Sequence, residues 1–188
     1  WDVVMFSERR RLGFTLIEFA LTMVVAGVLL TIAIPSFTYV IESGRVRTVT
    51  NDFINPIHLA RLEAIKSNTR VQYCGNDANS NFNDELGREC GINQPGAVVA
   101  LLVDASGSSE AEKVREAAEV IGGSIHVAKV QALQFTPRSF GVGPSSNNPY
   151  SGEILVFCSD KLAGNNLVTV KMSVGIDTKL IKDSGACP

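Results

Sequence analysis

Gly13-Phe14-Thr15-Leu16-Ile17-Glu18 opens the stretch that decides the fold. It continues as Phe19-Ala-Leu-Thr-Met-Val-Val-Ala-Gly-Val-Leu-Leu-Thr-Ile-Ala-Ile34. The 21 residues from Phe14 to Ile34 contain one charge, Glu18. As a helix they cover ~31 Å, enough to cross the hydrocarbon core of a bilayer. Glu8-Arg9-Arg10-Arg11 stands just before the run. By the positive-inside rule these arginines place the N-terminal side in the cytoplasm and the bulk of the chain beyond the membrane. Met5 fits the initiator, a role Trp1 cannot fill.

A cleaved secretory signal would need a small-x-small site after the apolar run. Ala33-Ile34-Pro35-Ser36 matches this poorly. A plain membrane anchor fits the length but leaves Glu18 unexplained. A carboxylate at membrane depth costs roughly 2.5–3.5 kcal/mol on insertion scales, so such residues are usually functional. Cleavage after Gly13 would make Glu18 the fifth residue of a shortened chain. There it lies in the first helical turn, where the helix dipole favours negative charge. The free α-amino group of Phe14, in the same or a neighbouring chain, is its natural counter-charge.

The string from Gly13 to Glu18 resembles the cleavage motif of type IV prepilins and type II secretion pseudopilins. The resemblance implies that a prepilin peptidase cuts after Gly13 and methylates Phe14. It also implies that Glu18 pairs with the amino terminus of an adjacent subunit during assembly. The expected partners are other major and minor pilins or pseudopilins, the peptidase and the inner membrane. The expected location is the inner membrane, single-pass with a periplasmic domain, and then a pilus or pseudopilus filament.

Residues 14–67 are expected to form one long helix, with 14–34 transmembrane and 35–67 amphipathic and kinked. Pro35, Gly27 and Gly44 are its soft points. Phe53, Ile57, Ala60 and Ala64 recur at helical steps and form a core stripe. Leu59, Leu62 and Ile65 add apolar surface. Asn55-Pro56 suits an N-cap followed by the first helical position, which predicts a kink or break near residues 51–56.

Leu59-Ala-Arg-Leu-Glu-Ala-Ile-Lys-Ser-Asn68 followed by Val71-Gln-Tyr-Cys74 is similar to the GspH/FimT branch of that family. There a helix end of this kind runs into a strand ending in Cys; Leu62 and Ser67 depart from the usual Ser and Arg. Leu133-Gln-Phe-Thr-Pro-Arg138 resembles that branch's F-x-P-x-G strand and turn, with Gly141 displaced from the expected position. Ile154-Leu-Val-Phe-Cys158 and the near-terminal Cys187 follow in the same order. The implied fold is α+β and pilin-like: a long N-terminal helix on an antiparallel β-sheet domain over residues 68–188, with residues 1–13 a leader.

All four cysteines, Cys74, Cys90, Cys158 and Cys187, follow the apolar run. An even count in a Gly/Asn/Ser-rich region points to disulfides in an oxidising compartment, with three connectivities open. Cys74–Cys90 and Cys158–Cys187 is the favoured set, the first because only a short Gly/Asn-rich loop separates the pair; free buried thiols are the alternative. Ala97–Val103 reads as a buried strand. Val168, Val170, Met172 and Val174 alternate with polar residues as a half-buried one, and a turn at Gly175 leads into Thr178–Lys182. Glu110–Ile121 has helical spacing at Val114, Ala117, Ala118 and Ile121 and stops at Gly122-Gly123, so a short helix is expected. Loops 75–96 and 141–152 are expected at the surface.

No catalytic set is apparent, and no cofactor or metal is expected. His58 and His126 read as structural histidines, and no Cys/His spacing resembles a zinc site. Asp104–Glu110 lacks the ligand density of a calcium loop. Gly122-Gly123 and Gly141-Val-Gly143 lack a phosphate-loop context. The net charge of −2 gives no overall pull toward nucleic acid. One subgroup of the branch takes up DNA through a GRxR-like C-terminal segment. Gly44-Arg45-Val-Arg47 has that string in the wrong place. At the corresponding turn, Gly175-Ile-Asp-Thr-Lys179, Asp177 and Asp183 offset Lys179 and Lys182, so nucleic-acid binding is expected to be weak or absent. The expected role is structural: a minor pilin of a type IV pilus, or alternatively a type II secretion pseudopilin H or a DNA-binding tip pilin.

Overall fold

The computed structural model describes residues 13–76, 81–103, 106–120, 123–144 and 147–187. The expected leader before Gly13, Asp104 of the 104–110 loop, and Ile121 and Gly122 lie outside these. The chain forms two compact units, one ending at Val40 and the other beginning at Ile41.

Helix α1 runs from Leu16 to Ser67. Asn68 ends it with φ of 52°, the left-handed geometry that Asn tolerates after a helix terminus. Within the second unit α1 buries Val46, Val49, Phe53, Ile57, Ala60 and Ala64, spaced three or four residues apart as one helical face requires.

Among the described residues nine strands follow, in two antiparallel sheets. The five-stranded sheet has the order β3-β2-β1-β5-β6. Its strands are β1 (Val71–Tyr73), β2 (Val98–Val103), β3 (Ser109–Arg115), β5 (Leu133–Phe135) and β6 (Gly141–Val142). The four-stranded sheet has the order β4-β7-β8-β9. Its strands are β4 (Ile125–Val130), β7 (Gly152–Ser159), β8 (Leu167–Ser173) and β9 (Asp177–Asp183). The α1 stripe shares one apolar core with Val71, Tyr73, Val98, Leu133 and Phe135 of the first sheet and Leu155, Phe157, Val168 and Val170 of the second. This is the expected α+β architecture, and β8 alternates in burial as its sequence alternates in polarity.

Three expectations need correction. First, of the kink or break expected near residues 51–56, the break is absent: α1 is continuous helix there. Pro56 has no N–H, so the carbonyl of Asp52 loses its helical donor. Arg115 of β3 supplies a replacement, Nη1 donating to Asp52 O at 3.3 Å. Buried Phe53 and Ile57 hold the helix in the core on both sides of the defect.

Second, residues 109–115 form strand β3, not a helix. The helical spacing counted Val114, which is 40% exposed. Ala111, Lys113 and Arg115 are instead the half-buried members of an alternating strand. That strand pairs with β2, whose polar backbone would otherwise lie open on that side.

Third, the 75–96 segment is not wholly a surface loop. It contains helix α2 (Glu85–Cys90), whose N-cap Asp84 accepts from the N–H of Gly87. Leu86 and Cys90 are fully buried beside Cys74, Ala97 and Val99 in a second small core. Likewise the 141–152 segment begins with β6, and Val142 bridges Pro149.

Candidate functional site

The amino-terminal end of α1 is built by Thr15. Its carbonyl accepts from the N–H of Phe19 at 3.1 Å, and its Oγ1 accepts from the N–H of Glu18 at 3.3 Å. Thr15 is therefore the N-cap and Glu18 the third helical residue, one half of a Thr-x-x-Glu capping box. The sequence reading placed Glu18 in the first turn for its charge but missed Thr15. The Thr-x-x-Glu spacing before an apolar run was the available signal.

The residues around this end are open. Leu16 is 88% exposed and Ile17 78% exposed, and a Cβ added at Gly13 would meet nothing within 4 Å. Packing in this chain gives no reason for glycine at position 13, nor at Gly27 or Gly44, where a Cβ also meets nothing.

An 18-residue window of α1 reaches a mean hydropathy of 2.3 with none of it buried, so α1 is long and apolar enough to cross a membrane. The hydroxyls of Thr22 and Thr31 are satisfied on the helix's own backbone, which an apolar medium requires. Thr22 Oγ1 donates to Phe19 O at 2.8 Å, and Thr31 Oγ1 to Val28 O at 2.7 Å.

In the second unit, polar side chains fasten α1 to the sheets. Glu42 is 3% exposed; Ser124 Oγ donates to its Oε2 at 2.9 Å and Arg45 Nη1 to its Oε1 at 2.7 Å. Arg61 Nη2 donates to the carbonyls of Gly175 and Ile176 at 3.3 and 2.6 Å, and its guanidinium lies 5.5 Å from the Phe135 ring centroid. Burial lowers the pKa of Arg61, while Asp177 pulls it back up. Asp84 gathers Gly87 N, Gln134 Nε2 and Arg70 Nη1. Sequence reading singled out none of Glu42, Arg61 and Asp84, because each acts through a partner distant in the chain. Disulfides join Cys74 to Cys90 and Cys158 to Cys187.

The histidines are not brought together. His58 is exposed on α1, and His126 Nε2 lies 3.7 Å from Asp160 Oδ2 with both side chains about half exposed. Among the described residues no group of three or more His, Cys, Asp or Glu is placed to hold a metal. On β9, Asp177 and Asp183 flank Lys179 and Lys182, so the strand presents mixed charge.

A single exposed apolar helix leading into a disulfide-bonded antiparallel β-domain defines a pilin-like subunit. The family model described as Type II transport protein GspH matches residues 49–175, and the chain belongs to that family. No curated protein and no solved structure gave a significant match. The family match begins at Val49 and does not include Gly13, Phe14 or Glu18.

Proposed function

We propose that this chain is a structural subunit of a type IV filament, a minor pilin that enters or primes a type IV pilus. Such a pilus serves adhesion, twitching motility or DNA uptake. In this reading residues 1–13 are a cytoplasmic leader removed by prepilin peptidase, and Phe14 becomes the methylated amino terminus. Residues 14–34 hold the chain in the inner membrane, and residues 68–188 are the periplasmic domain. The role is assembly, not catalysis.

The observation that carries the reading is Glu18. It is a carboxylate in the first turn of a helix otherwise suited to lipid, where bilayer insertion penalises it and a neighbouring amino terminus would neutralise it. The open space around Gly13 supports an outside requirement for glycine, such as a peptidase. Gly13→Val should therefore leave the fold intact and the leader attached. Accumulation of mature-length protein would sink the cleavage assignment. Glu18→Val should insert into the membrane but enter filaments poorly, and normal incorporation would remove its assembly role.

A second reading, a pseudopilin of type II secretion, is favoured by the family's own description. Deleting the gene separates the two: loss of piliation or twitching supports the pilus, and loss of protein export supports secretion. DNA binding is the reading the mixed charge of β9 favours least. A mobility-shift assay showing salt-sensitive binding at micromolar protein would restore it.

A further inference from the structure

Among the described residues five non-glycines have positive φ, and three of them are asparagines, which tolerate it: Asn68, Asn93 and Asn165. The other two are Ser139, with φ of 66°, and the β-branched Val174, with φ of 50°. Such strain costs of order 1–3 kcal/mol per residue and tends to persist at binding sites.

Both residues sit on turns that converge. Ser139 belongs to the β5–β6 turn, where its N–H donates to Thr136 O at 2.9 Å. Val174 and Gly175 form the β8–β9 turn, closed by Ile176 N–H on Ser173 O at 3.1 Å. The two turns are joined by Gly141 N–H donating to Gly175 O at 2.9 Å, and Arg61 fixes the second from α1.

Beside this junction lies a groove of about 390 Å³, lined by Thr136, Pro137, Arg138, Phe140, Val142, Asn147 and Pro149, more apolar than polar. That volume suits a bound side chain or two. Val174 and Ile176 stay exposed on the adjoining turn, at 61% and 39%. Arg138 is exposed and, among the described residues, meets no carboxylate. The groove is thus an apolar surface with one uncompensated cation. A single cation is too few to hold a nucleic acid backbone.

We propose that this groove docks an extended segment of a partner protein that carries a carboxylate beside apolar side chains. The carboxylate meets Arg138, and the apolar side chains cover Phe140, Pro149 and the Val174 turn. The proposal rests on the filament-subunit reading only in making that partner another subunit.

The test uses the full chain, isotope-labelled in detergent micelles, titrated with Ac-Ala-Leu-Glu-Leu-Ala-NH2 and its Gln and Lys counterparts. The Glu peptide should shift the amides of residues 136–142 and 174–176 and bind about tenfold tighter than the Gln peptide. Arg138→Glu should reverse the preference toward the Lys peptide, and Phe140→Ser should weaken all three. Both side chains are exposed, so the variants should keep a dispersed amide spectrum. Equal binding of the three peptides, no shifts at the groove at millimolar peptide, or an unchanged preference in Arg138→Glu overturns the proposal. Glu18→Val should titrate like the native chain. Failure of the groove therefore appears in the titration, and failure of the filament reading in the incorporation assay.

Discussion

Arg115 on β3 donates its Nη1 hydrogen, at 3.3 Å, to the carbonyl of Asp52, the acceptor that Pro56 cannot serve. A proline inside a helix costs about 3 kcal/mol, partly through that lost hydrogen bond. Here the chain replaces the bond from 63 residues away. Arg115→Met should therefore destabilise the domain by about 1–2 kcal/mol. In a Pro56→Ala background the helix regains its own donor, and the same substitution should cost less. A double-mutant cycle by urea unfolding checks the coupling. Strictly additive costs would mean that Arg115 does not serve the Pro56 defect.

Tyr73 is fully buried, and among the described residues its hydroxyl has no hydrogen-bond partner. Burial pushes its ionisation far above the ordinary value, with a smaller opposing pull from Arg115. The folded state keeps Tyr73 neutral, whereas the unfolded chain ionises near pH 10. Its contribution to stability is therefore complete below about pH 10 and is lost as the pH rises above that value. Tyr73→Phe should leave stability unchanged or raise it by up to about 1 kcal/mol at pH 7, since it removes an unpaired buried hydroxyl. It should also flatten the alkaline fall of the unfolding midpoint between about pH 10 and 12. A steep fall identical to that of the native chain would contradict this account.

Ser139 and Gly175 predict opposite signs. Ser139 adopts a conformation that glycine takes freely, so Ser139→Gly should stabilise by about 1 kcal/mol. Gly175 has φ of 67°, and a Cβ there would lie 2.5 Å from the carbonyl oxygen of Gly141. Gly175→Ala should lower the melting temperature by forcing the two turns apart. Thermal melts of both variants decide the matter, and a stabilising Gly175→Ala would refute the close approach.

The disulfides close loops of similar length, with sequence separations of 16 and 29. Chain entropy assigns each about 3–4 kcal/mol. Their surroundings differ at one end: Cys74, Cys90 and Cys158 are fully buried, while Cys187 is exposed. Cys74→Ser with Cys90→Ser should cost more than entropy alone, because it places two hydroxyls in the small core beside Leu86. Cys158→Ala with Cys187→Ala should stay near the entropic value. Denaturation of the two double variants gives the comparison, and a larger loss from the second pair would reverse it.

Much of this architecture was legible in the chain itself. The apolar run at residues 14–34 and the stripe from Phe53 to Ala64 have strong helical periods, and alternation marked β8. The errors share a cause. Asn55-Pro56 looks like a helix start because local propensity contains no Arg115. Residues 110–121 look helical because spacing cannot tell that Val114 faces solvent. Helix α2 was hidden in a polar loop because its burial depends on Cys74 just after β1, Ala97 just before β2 and Val99 in β2 coming together.

The sequence by itself determined a lone membrane-length helix with Glu18 in its first turn, a β-rich domain after it and an even set of cysteines. These depend on composition and on periods within a few residues, which the backbone reads locally. Only the tertiary structure decided that α1 passes unbroken through Pro56 and that Glu42 reaches Ser124. It also decided that Ser139 and Val174 sit strained beside one apolar groove with Arg138. Each of those joins groups far apart in the chain, and their energies exist only once the sheets and helix have packed.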